Sequence, residues 1–313
     1  MIVQSPSSNN GLMRHFLSLL DYTAAELSSL LDRASEMAEL RQRQAMPQVL
    51  RGKSVALWFY GQGFRNRVAF ELGASEMGGS VVHVPGELGV HEPIQDVAGY
   101  LQNWFSLLVI RARRHEDLLE VATRSAIPVI NARTDRGHPC EIMGDLLYLR
   151  QLGRDLNKLK VVFVGEPSNL CLSWLEAASV FPMHVVQVCP PGFEVDAPTL
   201  KAFRARAVGQ ISVTHDLRHA LVGADVLYTD CWPQAKTLEE QAHVRAAFLP
   251  YQITLEHLDL LGESGIFLPC PPVTRGEEVS PEAMESSHCR SHAAKSGLLH
   301  VQNAIMEHLM LAG

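Results

Sequence analysis

Gly63-Phe64-Arg65-Asn66-Arg67 and, further along, His138-Pro139-Cys140-Glu141 are the stretches on which the reading of this chain turns. The first follows an apolar run, Ser54–Phe59, and opens a helix-like stretch over Val68–Met77. A turn from strand into helix gathers unsatisfied backbone N–H groups at the positive end of the helix dipole, and here two guanidinium groups stand with them. Such a turn suits an oxyanion. The second stretch sets an imidazole after an apolar run, Ala126–Asn131, and before another helix-like segment, Glu141–Leu152.

Working outward, short apolar runs alternate with amphipathic segments from Gly52 onward. Ser54–Phe59, Ser80–Val84, Leu107–Ile110 and Pro128–Ile130 read as strands of a parallel sheet buried on both faces by helices. The pattern pauses in the polar stretch Gly153–Lys158 and restarts with Lys160–Val164, His184–Cys189, Ile211–Thr214, Val226–Thr229 and Gly265–Leu268. The expectation is an α/β protein of two doubly wound parallel-sheet domains with a boundary near residue 150. Upstream, Thr23 and Glu26 have the spacing of a capping box, and Leu27, Leu30, Leu31, Ala34 and Met37 repeat at helical spacing behind them. No internal repeat or low-complexity tract is visible.

At 313 residues the chain has room for two cores. A net charge of −7 argues against nucleic acid as a partner, since such surfaces are usually basic. The six cysteines form no CxxC pair and no metal-like spacing, which points to reduced thiols and no metal site. Met1–Asn10 is polar without a leader pattern, and no apolar run approaches the roughly 18–20 residues that span a bilayer. A cytoplasmic protein without membrane contact is expected. A dinucleotide site fits poorly: Asn66 stands where the third glycine of the fingerprint belongs, and Pro167 removes a backbone donor from the corresponding turn of the second half.

The ordered motifs resemble the aspartate/ornithine carbamoyltransferase family, most closely its ornithine and N-acetylornithine branch. Gly63-Phe64-Arg65-Asn66-Arg67 matches the family's Ser-Thr-Arg-Thr-Arg loop, followed by Phe70-Glu71 and Gly78-Gly79. Glu92–Ala98 resembles its mobile loop, Arg111 its lone arginine after the third strand, and His138-Pro139-Cys140-Glu141 its His-Pro-x-Gln. Gly165, Glu166, Asn169 and Ser173 match Gly-Asp-x-x-Asn and a later Ser; Ala224–Trp232 resembles the acceptor-binding stretch. Phe248–Gln252 and Arg275–Val279 also resemble the ornithine branch, and Cys270 falls at the cysteine of its His-Cys-Leu-Pro.

The resemblance implies a carbamoyl, or related acyl, group moved from a phosphorylated donor to the amine of an ornithine-like amino acid. It implies a donor-binding domain over 1–150, rejoined by the terminal helix 291–313, an acceptor-binding domain over 151–290, a site in the cleft between them, and a homotrimer. It calls for no cofactor. By the same resemblance, Gly63, Phe64, Arg65, Asn66, Arg67 and Glu141 line the donor site, Arg111, His138 and Cys270 belong to the catalytic set, and Asn169, Asp230 and Gln234 hold the acceptor. Two fixed arginines suit a phosphate because the planar guanidinium fork binds oxygens bidentately. A neutral imidazole and an arginine can face a carbonyl oxygen where charge develops.

Several positions depart from the pattern. Gly63 and Phe64 replace Ser and Thr, Asn66 replaces the second Thr, and Glu141 replaces Gln. The cysteine motif reads Pro269-Cys270-Pro271-Pro272, and Ser296-Gly297-Leu298 stands where the family carries Glu-Asn-Arg. A carboxylate at 141 faces a dianion, and like charges at ~4 Å repel by about 4 kcal/mol at an effective dielectric near 20, unless Glu141 is protonated, paired or turned away. The two hydroxyl donors lost at 63 and 64 also predict weaker donor binding, restorable by Gly63→Ser with Phe64→Thr together. Gln234 and an apolar wall at Trp232 favour a modified relative of ornithine over ornithine itself. The other reading is a catalytically altered or inactive paralogue that binds a small metabolite or supports a partner protein.

Overall fold

Each apolar run becomes a strand, and each amphipathic segment a helix, in the computed structural model, which describes residues 13–312; the Met1–Asn10 stretch and Gly313 of the terminal segment lie outside them. The strands are β1 (Ser54–Phe59), β2 (Ser80–Val84), β3 (Leu107–Arg111), β4 (Val129–Arg133), β5 (Lys160–Val164), β6 (His184–Val188), β7 (Gln210–Thr214), β8 (Val226–Thr229) and β9 (Ile266–Pro269). The helices are α1 (Ala24–Gln42), α2 (Phe64–Glu76), α3 (Ile94–Leu101), α4 (His115–Arg124), α5 (Pro139–Gln151), α6 (Asn169–Val180), α7 (Ala197–Arg206), α8 (Leu217–Leu221), α9 (Leu238–Phe248), α10 (Leu255–Asp259), α11 (Pro281–Met284) and α12 (Ser291–Leu311). Thr23 caps α1 through the expected reciprocal bonds with Glu26.

The described chain forms two compact units. One runs to Gln151 and resumes at Lys295; the other is Leu152–Ala294. The first holds a parallel sheet in the order β2-β1-β3-β4, the second a parallel sheet in the order β7-β6-β5-β8-β9. In the first core, Ala56, Leu108, Ile110 and Val129 pack with Leu118 and Val121 of α4. In the second, Val162, Val164, Val186, Val188 and Leu227 pack with Leu217, Leu221 and Leu258. Each buried aliphatic side chain of this size contributes about 1.5–3 kcal/mol relative to exposure.

The strand order reverses between β1 and β3 in the first sheet and between β5 and β8 in the second. In open α/β sheets the crevice at the carboxyl ends of such strands is where ligands bind. Gly63 and Arg111 follow β1 and end β3; Asn169 and Asp230 follow β5 and β8.

Two local expectations are corrected. β2 is not buried on both faces, because it is the sheet edge, and Val82 is 46% exposed. The helix after the first turn starts at Phe64, not Val68, since the Arg67 N–H already donates to Gly63 O at 3.1 Å. The basic motif is thus the first helical turn itself.

Two glycines fix how α12 meets α5. A Cβ at Gly144 would lie 3.2 Å from Leu298 Cα, and one at Gly297 would lie 2.7 Å from Gly144 O. Only bare backbones allow this approach, and it brings the start of the α12 segment in this unit onto the first turns of α5. No described helix is long and apolar enough to cross a membrane.

Candidate functional site

The donor half grows from the turn after β1. Gly63 takes φ +44° and precedes α2 without a side-chain cap. Because Arg67 supplies the first intrahelical N–H, those of Phe64, Arg65 and Asn66 are left at the helix end, where an anion is favoured. The Arg111 side chain lies directly against this turn: a Cβ at Gly63 would come within 3.0 Å of its Cδ and Nη1. A serine at 63 would crowd Arg111 and hold a left-handed backbone, which tells against the gain expected from Gly63→Ser with Phe64→Thr.

Arg111 is anchored by its Nε, which donates to Tyr60 O at 3.2 Å. Burial, then the neighbouring Arg133, lowers its pKa to about 10, so it stays cationic at neutral pH. Arg67 donates from Nη2 to Gly61 O at 3.2 Å, and its Nε is buried without a hydrogen-bond partner. Such an orphaned donor is rare in folded proteins and points to a missing acceptor. The Arg65 guanidinium stacks over the Phe64 ring, 4.7 Å from its centroid, and that ring is 62% exposed.

His138 immediately precedes α5 and its carbonyl accepts the first helical bonds, from Glu141 and Ile142. The side chain is buried, and burial above all pushes its pKa to about 4. The imidazole is neutral at pH 7, the form able to donate toward a carbonyl oxygen without giving up a full proton.

Glu141 is paired, one of the outcomes that its sequence leaves open. Its carboxylate accepts from Lys295 Nζ at 2.7 Å and from Asn66 Nδ2 at 3.1 Å, and lies 3.7 Å from His138 Nε2. Lys295 also bonds both oxygens of Asp145, at 2.9 and 3.2 Å. Burial pushes Glu141 up, but Lys295, His138 and the hydrogen bonds pull it further down, so it is ionised and already neutralised. The Gly144–Gly297 crossing puts Lys295 there. Asn66 turns inward as well: its Oδ1 accepts from Gln302 Nε2 at 2.8 Å, so its side chain braces Glu141 and α12, and only its backbone N–H faces the turn. Leu298 is buried against Gly144.

Two residues of this half went unnoticed in the sequence. Lys295 looked like one more polar residue of an amphipathic helix. Arg133 ends β4 as Arg111 ends β3, and the two are partners in register. A lone arginine closing each of two successive apolar strands was the available signal.

In the second unit, Asn169 opens α6 and is buried, while Asp230 follows β8 with its Oδ1 accepting from the Cys231 N–H at 2.8 Å. Thr229 Oγ1 donates to Val164 O at 3.0 Å and ties the two strand ends together. Glu166 and Glu278 are raised first by burial, with Asp230 among the further causes, so three carboxylates share this corner. The corner suits an ammonium group. Cys270 is buried at the end of β9, its N–H donating to Thr229 O at 2.8 Å. Gln234 is exposed, and Trp232 is buried with its ring 6.1 Å from that of Phe248. Trp232 is thus a packing residue rather than an open wall, which removes its part in the preference for a modified acceptor.

Residues 14–151 match the carbamoyl-P binding domain of the aspartate/ornithine carbamoyltransferases, and residues 157–309 match their Asp/Orn binding domain. The chain belongs to the aspartate/ornithine carbamoyltransferase family. It is 36% identical to the ornithine carbamoyltransferase of Chlorobaculum tepidum, with 98% of this chain and 93% of that one aligned. It is 35% identical to the chloroplastic ornithine carbamoyltransferase of Pisum sativum, over 96% of this chain and 81% of the relative. Among solved structures, that of ornithine carbamoyltransferase from Thermus thermophilus superposes with a TM-score of 0.83 at 32% identity, covering 94% of this chain and 98% of the other. The family's carbamoyl-P binding domain thus contains the turn, Arg111, His138 and Glu141, and its Asp/Orn binding domain contains Asn169, Asp230, Gln234 and Cys270.

Proposed function

We propose that this protein transfers the carbamoyl group of carbamoyl phosphate to the δ-amine of ornithine, giving citrulline and phosphate. The observation that carries the reading is the convergence of the anion-binding turn, Arg111 and a neutral His138 on one sheet end, in a chain whose relatives are ornithine carbamoyltransferases. Arg65, Arg67 and the N–H groups of the first turn of α2 hold the phosphoryl dianion. His138 and one arm of the Arg111 fork face the carbonyl oxygen as it gains charge, the other arm reaching the phosphoryl oxygens, and preorganised donors of this kind are worth about 10²–10³ each in rate. Glu141, neutralised by Lys295, is an acceptor for the carbamoyl N–H groups. Asp230 takes the α-ammonium of ornithine and Asn169 donates to its carboxylate.

The uncharged δ-amine attacks the carbonyl carbon, a C–N bond forms, and the C–O bond to phosphate breaks. The departing phosphate accepts the amine proton. Positioning and electrostatics supply the acceleration.

The same reading includes a homotrimer in the cytoplasm. Phe64, Val68 and Leu72 form an exposed apolar stripe along α2, and Val82 of the neighbouring edge strand is exposed with them. Burial against another copy, in closed cyclic symmetry, would cover this face, with the Glu92–Asp96 segment reaching a neighbour. The test is steady-state kinetics with carbamoyl phosphate and a panel of amines (ornithine, N-acetylornithine, putrescine), measuring ureido product and phosphate. Ornithine is expected to give the highest kcat/KM. Preference for another amine by more than tenfold would replace ornithine in this reading.

A further inference from the structure

We propose that Arg133 is a ligand of the donor's phosphoryl group, forming with Arg111 a two-arginine clamp across the ends of β3 and β4. The inference rests on the donor site described above and adds to it a residue that the motif does not contain. Arg111 and Arg133 are register partners in adjacent parallel strands, and the pairing is pinned by Ala112 N–H donating to Arg133 O at 3.0 Å. A register shift between Ile110 and Arg111 skips one residue of β4, which sets Arg133, rather than Ala132, opposite Arg111.

The charges around this pair do not balance. Arg133 is half-buried and takes part in none of the ion pairs among the described residues. Both Arg111 and His138 feel it as a neighbouring cation, which places its charge on the site side of the sheet end. Arg67 adds a further cation beside Arg111. The one carboxylate acting on both Arg111 and His138 is Glu141, and Lys295 already holds it at 2.7 Å. Two arginines at paired strand ends, one of them largely desolvated, therefore lack an anion, and a tetrahedral dianion with three terminal oxygens can satisfy both forks at once. A carboxylate-sized monoanion would leave one fork unfilled. The buried, unpartnered Nε of Arg67 on the neighbouring turn points to the same missing acceptor.

The experiment is titration calorimetry of the full-length protein, Arg133→Met and Arg133→Lys with inorganic phosphate and with carbamoyl phosphate. Loss of a hydrogen bond to a charged group corresponds to roughly a tenfold to hundredfold weakening. Arg133→Met is expected to weaken both ligands at least tenfold. Arg133→Lys should fall between, since lysine keeps the charge without the fork. Ligand-free melting of each variant checks the fold; if the methionine variant melts early, the lysine variant alone decides, with a threefold or greater loss expected. Affinity within twofold of the parent in the folded variants would overturn the proposal, as would a parent protein that binds neither ligand. A parent that binds phosphate in an Arg133-dependent way yet forms no citrulline would sink the transferase reading and leave this assignment standing.

Discussion

Replacing Lys295 with methionine tests the least expected feature of the donor half. Lys295 bridges two carboxylates whose side chains are 7% and 1% exposed, Glu141 and Asp145. Methionine keeps the length and apolar stem but leaves two negative charges buried together. Breaking a buried ion pair from one side costs about 3–5 kcal/mol. At ~2–4 °C per kcal/mol for a domain of 150–250 residues, melting should fall by about 6–20 °C at pH 7. The loss should also depend on pH. In the parent, Glu141 sits below its ordinary value of 4.5, so its contribution is present above pH 4.5 and is lost as pH falls through the lower folded value. Without Lys295 the burial that pushes Glu141 up dominates, its folded pKa rises above 4.5, and protonation favours the folded state. The gap between variant and parent should therefore narrow from pH 8 toward pH 5. Thermal unfolding by circular dichroism at four pH values reads both effects, and adding Glu141→Gln should recover part of the loss. A pH-independent difference of less than about 1 kcal/mol would refute the reasoning, because a buried triad cannot lose its cation so cheaply.

Gly63→Ser should lower kcat/KM for carbamoyl phosphate at least tenfold, because the new Cβ would meet Arg111 at 3.0 Å and a left-handed non-glycine residue costs roughly 1–2 kcal/mol; equal or higher activity would contradict the placement of Arg111. The His138 ring, followed by nitrogen-15 NMR, should titrate near 4, so its contribution to stability is present above pH 6.5 and lost as pH falls toward 4; titration near 6.5 would show that it is not buried as described. Asp230→Ala should raise the KM for ornithine more than tenfold with little change for carbamoyl phosphate, and an unchanged ornithine KM would place the ammonium elsewhere. Light scattering at micromolar concentration should give the mass of a trimer, and Phe64→Glu with Val68→Glu should dissociate it; a monomeric parent would leave the α2 stripe without the proposed partner.

The sheets were legible because their strands are short, apolar and separated by amphipathic helices, a pattern parallel packing imposes on sequence. β2 misled because apolar content does not reveal whether a strand lies at an edge. Arg65, Arg67, Arg111 and His138 could be named as candidates because each closes a strand or opens a helix, and the structure does place them there. The partner of Glu141 could not be read from its own neighbourhood. Its cation lies in a helix whose Lys295 is 150 residues from Asp145 in sequence, and the meeting depends on Gly144 and Gly297 letting two backbones touch. The inward turn of the Asn66 side chain was hidden for the same reason: its partners Glu141 and Gln302 are distant in sequence. Arg133 was missed because the fourth apolar run stops at Ile130 while the strand continues to Arg133.

The central claim is that this chain moves a carbamoyl group from phosphate to the side-chain amine of ornithine. The most direct measurement follows carbon-13-labelled carbamoyl phosphate and ornithine with the purified protein in one NMR tube, reading carbon-13 and phosphorus-31 together. The expected result is label passing from the acyl phosphate to the ureido carbon of citrulline, matched one for one by inorganic phosphate and abolished in Arg111→Met. Label lost only through spontaneous breakdown at the rate of a protein-free tube, with ornithine unchanged, would contradict it.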